Sequence, residues 1–130
     1  LRSGLILSGS GEKLSDTSRT GVITSYEAMN LELDSALLVV LSACETGLGE
    51  IKNGEGVYGL QRAFMVAGAK YIIMSLWKVD DKVTSELMTS FYDLFCKTKD
   101  VKKSFKEAQM NIAKKYKDTL YWGAFVVLGM

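Results

Sequence analysis

The residues best suited to chemistry in this 130-residue chain are a thiol at the end of one apolar run and two adjacent carboxylates beyond the end of another. Cys44 closes the run Leu38-Val39-Val40-Leu41-Ser42-Ala43-Cys44, and a stretch holding Gly47, Gly49, Gly54, Gly56 and Gly59 follows it. A deprotonated thiol at an accessible position is a strong nucleophile toward carbonyl carbon. Asp80 and Asp81 follow the run Tyr71 to Leu76 through Trp77-Lys78-Val79. In open α/β sheets functional groups gather outside the carboxyl ends of the strands, and neighbouring strands lie only about 5 Å apart. A thiol and two carboxylates at two such ends would therefore share one rim. Each feature also has a plainer reading. Free cysteines are among the most buried side chains, paired aspartates cap helices, and an aromatic such as Trp77 at a strand end packs in a core. What sets Cys44 apart is its surroundings of small residues and its glycine-rich exit, which an inert core thiol does not need.

The elements that must hold these groups are legible as apolar runs and stripes. Leu5 to Leu7, Ala36 to Leu41, Tyr71 to Leu76 and Ala124 to Leu128 read as strands, the longer ones buried on both faces, and all four fit a parallel sheet. Val57, Leu60, Phe64 and Ala67 recur at helical steps, with Gly68 where a helix would stop. Val83, Leu87, Phe91 and Leu94 mark a second helix after Asp80 and Asp81, and Val101, Phe105, Ala108 and Ile112 a third. Thr24-x-x-Glu27 has the form of a capping box for a short helix through Met29. Strands alternating with amphipathic helices on short links predict an α/β sheet with helices packed on its faces.

Composition narrows the chemistry further. The formal net charge of +1 supplies no field that would draw the whole protein to nucleic acid or an anionic membrane. No apolar run approaches the roughly 18 residues of a membrane span, and two cysteines make no disulfide framework, so a cytoplasmic location is expected. There is no histidine, so zinc hydrolysis and Ser-His-Asp chemistry cannot be completed by these residues alone, and neither a metal nor an organic cofactor is expected. The chain opens on Leu1 rather than a methionine and reads as part of a longer one.

Several motifs are decoys. Gly54-Glu55-Gly56-Val57-Tyr58-Gly59 matches G-x-G-x-x-G, but a dinucleotide fingerprint begins at a strand end, and here the first glycine falls 12 positions after Ser42. Gly9-Ser10-Gly11-Glu12-Lys13 lacks the Gly-Lys-Ser/Thr of a P-loop. Cys96, beside Phe91, Leu94 and Phe95, is expected on a buried or half-buried stripe. The lysines from Lys97 to Lys117, interleaved with Asp100 and Glu107, read as a solvated helix face.

Five blocks, in order along nearly the whole chain, resemble the CHAT domains, caspase-like peptidase domains often attached to tetratricopeptide repeats and more distantly related to caspases and separase. They are Leu1-Arg2-Ser3-Gly4-Leu5-Ile6-Leu7-Ser8, Leu41-Ser42-Ala43-Cys44-Glu45-Thr46-Gly47, Gly54-Glu55-Gly56-Val57-Tyr58-Gly59-Leu60, Met74-Ser75-Leu76-Trp77-Lys78-Val79-Asp80-Asp81 and Tyr121-Trp122-Gly123-Ala124-Phe125. The resemblance implies a three-layer α/β/α caspase-like fold with a mostly parallel central sheet. It further implies that residues 1–130 are the C-terminal part of one such domain, with Cys44 as the nucleophile of a Cys-His dyad.

In the caspase signature the histidine precedes the cysteine by about 50 residues, which would put it just ahead of Leu1. An unassisted thiol has a pKa near 8.5, and no Lys or Arg lies between Leu37 and Ile51, so no peptide cleavage is expected from this chain by itself. By the same resemblance Asp80 or Asp81 would pair with a basic side chain ahead of the scissile bond, as the equivalent segment of separase does, and Trp77 would wall that pocket. The expected partners are a protein or peptide substrate and the repeat domains of a parent chain; an open sheet edge also makes a homodimer an expectation. The competing reading is a catalytically silent scaffold in which the fold persists as an interaction module.

Overall fold

The computed structural model describes residues 4–7, 21–41 and 56–129, and Cys44 lies outside them. Strand β1 (Gly4–Ile6) pairs antiparallel with β2 (Val22–Thr24), in the register Gly4↔Thr24 and Ile6↔Val22. Helix α1 (Ser25–Met29) follows at once. Its start is a complete capping box: Glu27 N–H donates to Thr24 Oγ1 at 3.2 Å, and Thr24 N–H donates back to Glu27 Oε2 at 2.8 Å.

Strand β3 (Leu38–Leu41), helix α2 (Gly56–Val66) and strand β4 (Tyr71–Ser75) form a parallel crossover, in the register Leu38↔Tyr71 to Leu41↔Met74. The end of α2 is pinned against the segment that enters β3. Leu33 N–H donates to Ala67 O at 2.8 Å, and Gly68, at φ +108°, lies so close to Asp34 that a Cβ would sit 2.5 Å from its Oδ1. Only glycine takes that φ and that approach without strain.

Beyond β4 come α3 (Asp81–Thr98) and α4 (Val101–Lys115), joined by the two residues Lys99 and Asp100. Then follow a single turn, α5 (Thr119–Trp122), and strand β5 (Phe125–Gly129). Strand β5 runs antiparallel to β4, in the register Tyr71↔Gly129 to Ser75↔Phe125, so β4 is the centre of a three-stranded sheet.

The expectation of four parallel strands is corrected here: β3 and β4 are parallel, β5 is reversed, and β1 pairs with β2 in a separate two-stranded sheet among the described residues. The reason for the reversal is parity. One crossover helix returns the chain to the start of the sheet, as α2 does, whereas a hairpin of two helices returns it to the end it left. That α3 and α4 form such a hairpin follows from their contacts, since Glu86 near the start of α3 meets Lys115 at the end of α4.

Alternation along the strands divides the core in two. Ile73 and Phe125 join Val83, Leu87 and Phe91 of α3 and Phe105, Ala108 and Ile112 of α4. Ile72, Met74 and Leu41 join Ala28 of α1 and Leu60, Ala63 and Phe64 of α2. Helices thus cover the sheet from both sides, and the fold is mixed α/β. Burying a side chain the size of Phe91 or Ile72 contributes about 2 kcal/mol, so each layer is held chiefly by such contacts. Cys96 departs from expectation: it follows Phe95 on α3 but turns to solvent as an exposed free thiol, because Phe91 and Leu87 already fill the inward stripe.

Candidate active site

The geometry begins with Leu41 opposite Met74 and Ser75 opposite Phe125. These pairings bring the carboxyl ends of β3 and β4 and the beginning of β5 to one edge of the sheet. The chain leaving β3 reaches Cys44 three residues after Leu41, outside the described residues. The chain leaving β4 carries Trp77, Asp80 and Asp81.

Trp77 is half-buried and packs against the α3–α4 side of the core. Its indole N–H donates to Leu120 O of α5 at 3.0 Å. Leu76 N–H donates to Ala124 O at 2.8 Å. The exit of β4 is thereby stitched to the α5–β5 corner along its length. Gln109 of α4 holds that corner from behind, its side-chain amide donating to Trp122 O at 2.7 Å and Phe125 O at 3.1 Å. Neither partner of these bonds was legible beforehand. A backbone carbonyl has no sequence signature, and Gln109 differs from its solvated neighbours only in following the buried Ala108.

Asp80 is the N-cap of α3: its Oδ1 accepts from Lys82 N–H at 3.0 Å and Val83 N–H at 3.2 Å. The plainer reading of this residue therefore describes what its carboxylate does in the folded chain. Asp81 occupies the first turn, exposed to solvent, and its carboxylate makes no hydrogen bond or ion pair among the described residues. Its charge is favourably placed against the positive end of the α3 dipole yet open to a cationic group from outside. Among the described residues no cluster of His, Cys, Asp or Glu could hold a metal ion.

A second electrostatic cluster joins α3 to the end of α4. Lys115 Nζ donates to Glu86 Oε2 at 2.7 Å, and the Tyr116 hydroxyl sits 3.3 Å from both carboxylate oxygens. The Lys115 bond is the chief reason the Glu86 carboxyl is held below its ordinary pKa and, reciprocally, that the Lys115 ammonium is raised. Glu27 is lowered as well, first by the Thr24 backbone N–H and then by its hydroxyl.

Comparison with known proteins places this architecture. The family described as "CHAT domain" matches residues 1–130. Tetratricopeptide repeat protein 28 of Mus musculus is 28% identical over 110 residues, which is 83% of this chain and 4% of that protein. Tetratricopeptide repeat protein 28 of Homo sapiens is 26% identical over 123 residues, covering 92% of this chain and 5% of that protein. The chain thus spans only a small fraction of the length of these relatives. Among the described residues no helix is long and apolar enough to cross a membrane.

Proposed function

Because this chain belongs to the CHAT domain family, we propose that it is the C-terminal part of a caspase-like cysteine endopeptidase domain with a three-layer α/β/α plan, in which Cys44 attacks the scissile carbonyl of a protein substrate. One observation carries the reading: β3 and β4 are parallel neighbours in register at Leu41 and Met74, so the segment bearing Cys44 and the segment bearing Trp77, Asp80 and Asp81 leave the sheet at the same edge. The reading requires a histidine general base from outside residues 1–130, which contain none.

Within this reading the two aspartates divide their labour. Asp80 spends an oxygen on two helix N–H groups and sets the direction of α3, while Asp81 offers its carboxylate to a basic side chain of the substrate. Trp77 forms the wall between that carboxylate and α5. The similarity to tetratricopeptide repeat proteins supports repeat domains of a parent chain as partners.

The test uses the parent protein, with peptides cut after Arg or Lys and an electrophilic thiol probe. Cleavage and labelling both lost on Cys44→Ala, with cleavage after basic residues reduced on Asp81→Lys, are the expected results. Cleavage that survives Cys44→Ala overturns the nucleophile, and unchanged specificity in Asp81→Lys overturns the pocket.

A second reading, a silent scaffold, is favoured by the use of Asp80 as a cap, which engages that carboxylate with helix N–H groups. A parent sequence with no His-Gly pair at a strand end upstream of Leu1 would select it.

A further inference from the structure

We propose that the outer face of α4 is a docking surface for an acidic protein segment whose carboxylates flank an apolar side chain. The observation is a charge imbalance confined to one place. Residues 97–117 hold eight lysines, no arginine and two acids, a local charge of +6 in a chain of net charge +1, so the other 109 residues together carry −5. The fold does not scatter these lysines. Helix α4 buries Val101, Phe105, Ala108 and Ile112 against the core, and all eight lysines of the segment are exposed. Lys102, Lys106, Met110 and Lys114 form a single row at four-residue spacing along the outward face, with Lys103 beside it. The row is about 18 Å long at the helical rise. Met110 is 53% exposed in the middle of it.

Helix stability does not account for the arrangement. Lys102 and Lys103 sit in the first turn of α4, which contains no acid, where the helix dipole disfavours cations. Lys102 and Lys106 are a like-charged pair at i,i+4, which also opposes the helix. Among the described residues the sole ion pair is Lys115 with Glu86, and Lys102 lies 5.9 Å over the Tyr71 ring. Among the described residues no other ammonium group of the segment is paired with a carboxylate.

The chemistry of the row selects its occupant. Lysines are point charges without the bidentate fork that arginine offers phosphates, and no arginine is present, which weighs against a nucleic acid. An anionic membrane would gain only the electrostatic share of binding, because the apolar face of α4 is already consumed by the core. An inclined row of ammonium groups around one flexible thioether matches a neighbouring helix whose carboxylates bracket a single apolar residue along the same kind of row.

The test measures binding of the full chain to a labelled helical peptide bearing glutamates and one leucine in a single row at four-residue spacing. Its controls are an isomeric peptide with the leucine moved to the opposite face, a short DNA duplex, and vesicles containing phosphatidylserine. The patterned peptide should bind about tenfold more tightly than its isomer, the effect of one seated apolar anchor. Lys102→Glu, Lys106→Glu and Lys114→Glu together should abolish that binding, and Met110→Ser should bring the two peptides level. Equal affinity of the two peptides for the unaltered chain, no binding of either, tighter binding to duplex or vesicles, or binding that survives the charge reversal would each overturn the proposal. The comparison of peptides on the unaltered chain requires no variant to fold.

Discussion

The indole N–H of Trp77 reaches across 43 residues of sequence to the backbone carbonyl of Leu120 at 3.0 Å, tying the exit of the central strand to the turn that precedes the last one. The bond adds a side-chain tie to the Leu76–Ala124 backbone bond that already joins these two segments. Trp77→Phe keeps most of the apolar contact and removes the donor, so a loss of about 1 kcal/mol is expected in urea unfolding. A variant as stable as the parent would show that this tie contributes nothing measurable.

The capping role of Asp80 separates it from its neighbour. Asp80→Ala should destabilise the fold by about 1 kcal/mol, the usual cost of losing an N-cap oxygen, with Asp80→Asn largely restoring it. Asp81→Asn should move the thermal midpoint far less, because it removes only an exposed charge near the helix dipole. Equal losses at the two positions would contradict the assignment of the cap to Asp80.

Lys99 ends α3 in the left-handed conformation, at φ 57° and ψ 13°, a position that glycine occupies at no steric cost. Lys99→Gly should stabilise the protein by roughly 0.5 kcal/mol, the relief of left-handed strain less the added freedom of the unfolded chain. Lys99→Val should destabilise it, since branching at Cβ aggravates the same clash. Both are read from denaturant midpoints.

Acid and base should each weaken the Glu86–Lys115 pair, from opposite ends of the pH scale. Glu86 has a folded pKa below its ordinary 4.5, so its contribution is present above that value and disappears as pH falls through the lower folded value. Lys115 is raised above 10.5, so its contribution is full below that value and is lost as pH rises through the higher one. The difference in thermal midpoint between the parent and Glu86→Gln should therefore be flat through neutral pH and shrink toward zero in acid. A difference that persists at pH 2 would assign the effect to packing rather than charge.

Much of the architecture is legible because periodicity and burial agree. The stripe of Val83, Leu87 and Phe91 and that of Val101, Phe105, Ala108 and Ile112 both face inward as their spacing requires, and the capping box at Thr24 and Glu27 forms as its residues dictate. Strand direction was not legible. The run at the end of the chain is as apolar as a parallel strand, and its reversal depends on α3 and α4 closing as a hairpin over the two-residue link at Lys99 and Asp100. Strand β2 and the single turn α5 are too short to show a period. At the rim, Asp80, Asp81 and Trp77 could be singled out because their types and strand-end position are visible in one dimension. The backbone acceptor at Leu120 and the amide clamp of Gln109 could not, since each depends on a contact between distant segments.

The reversed last strand also governs how the molecule can be instrumented. Gly129 stands beside Tyr71, the entry to β4, and so at the border of the sheet farthest from where Leu41 and Ser75 depart. A fluorophore or affinity handle placed at that border would sit at the end of the sheet opposite the exits of β3 and β4.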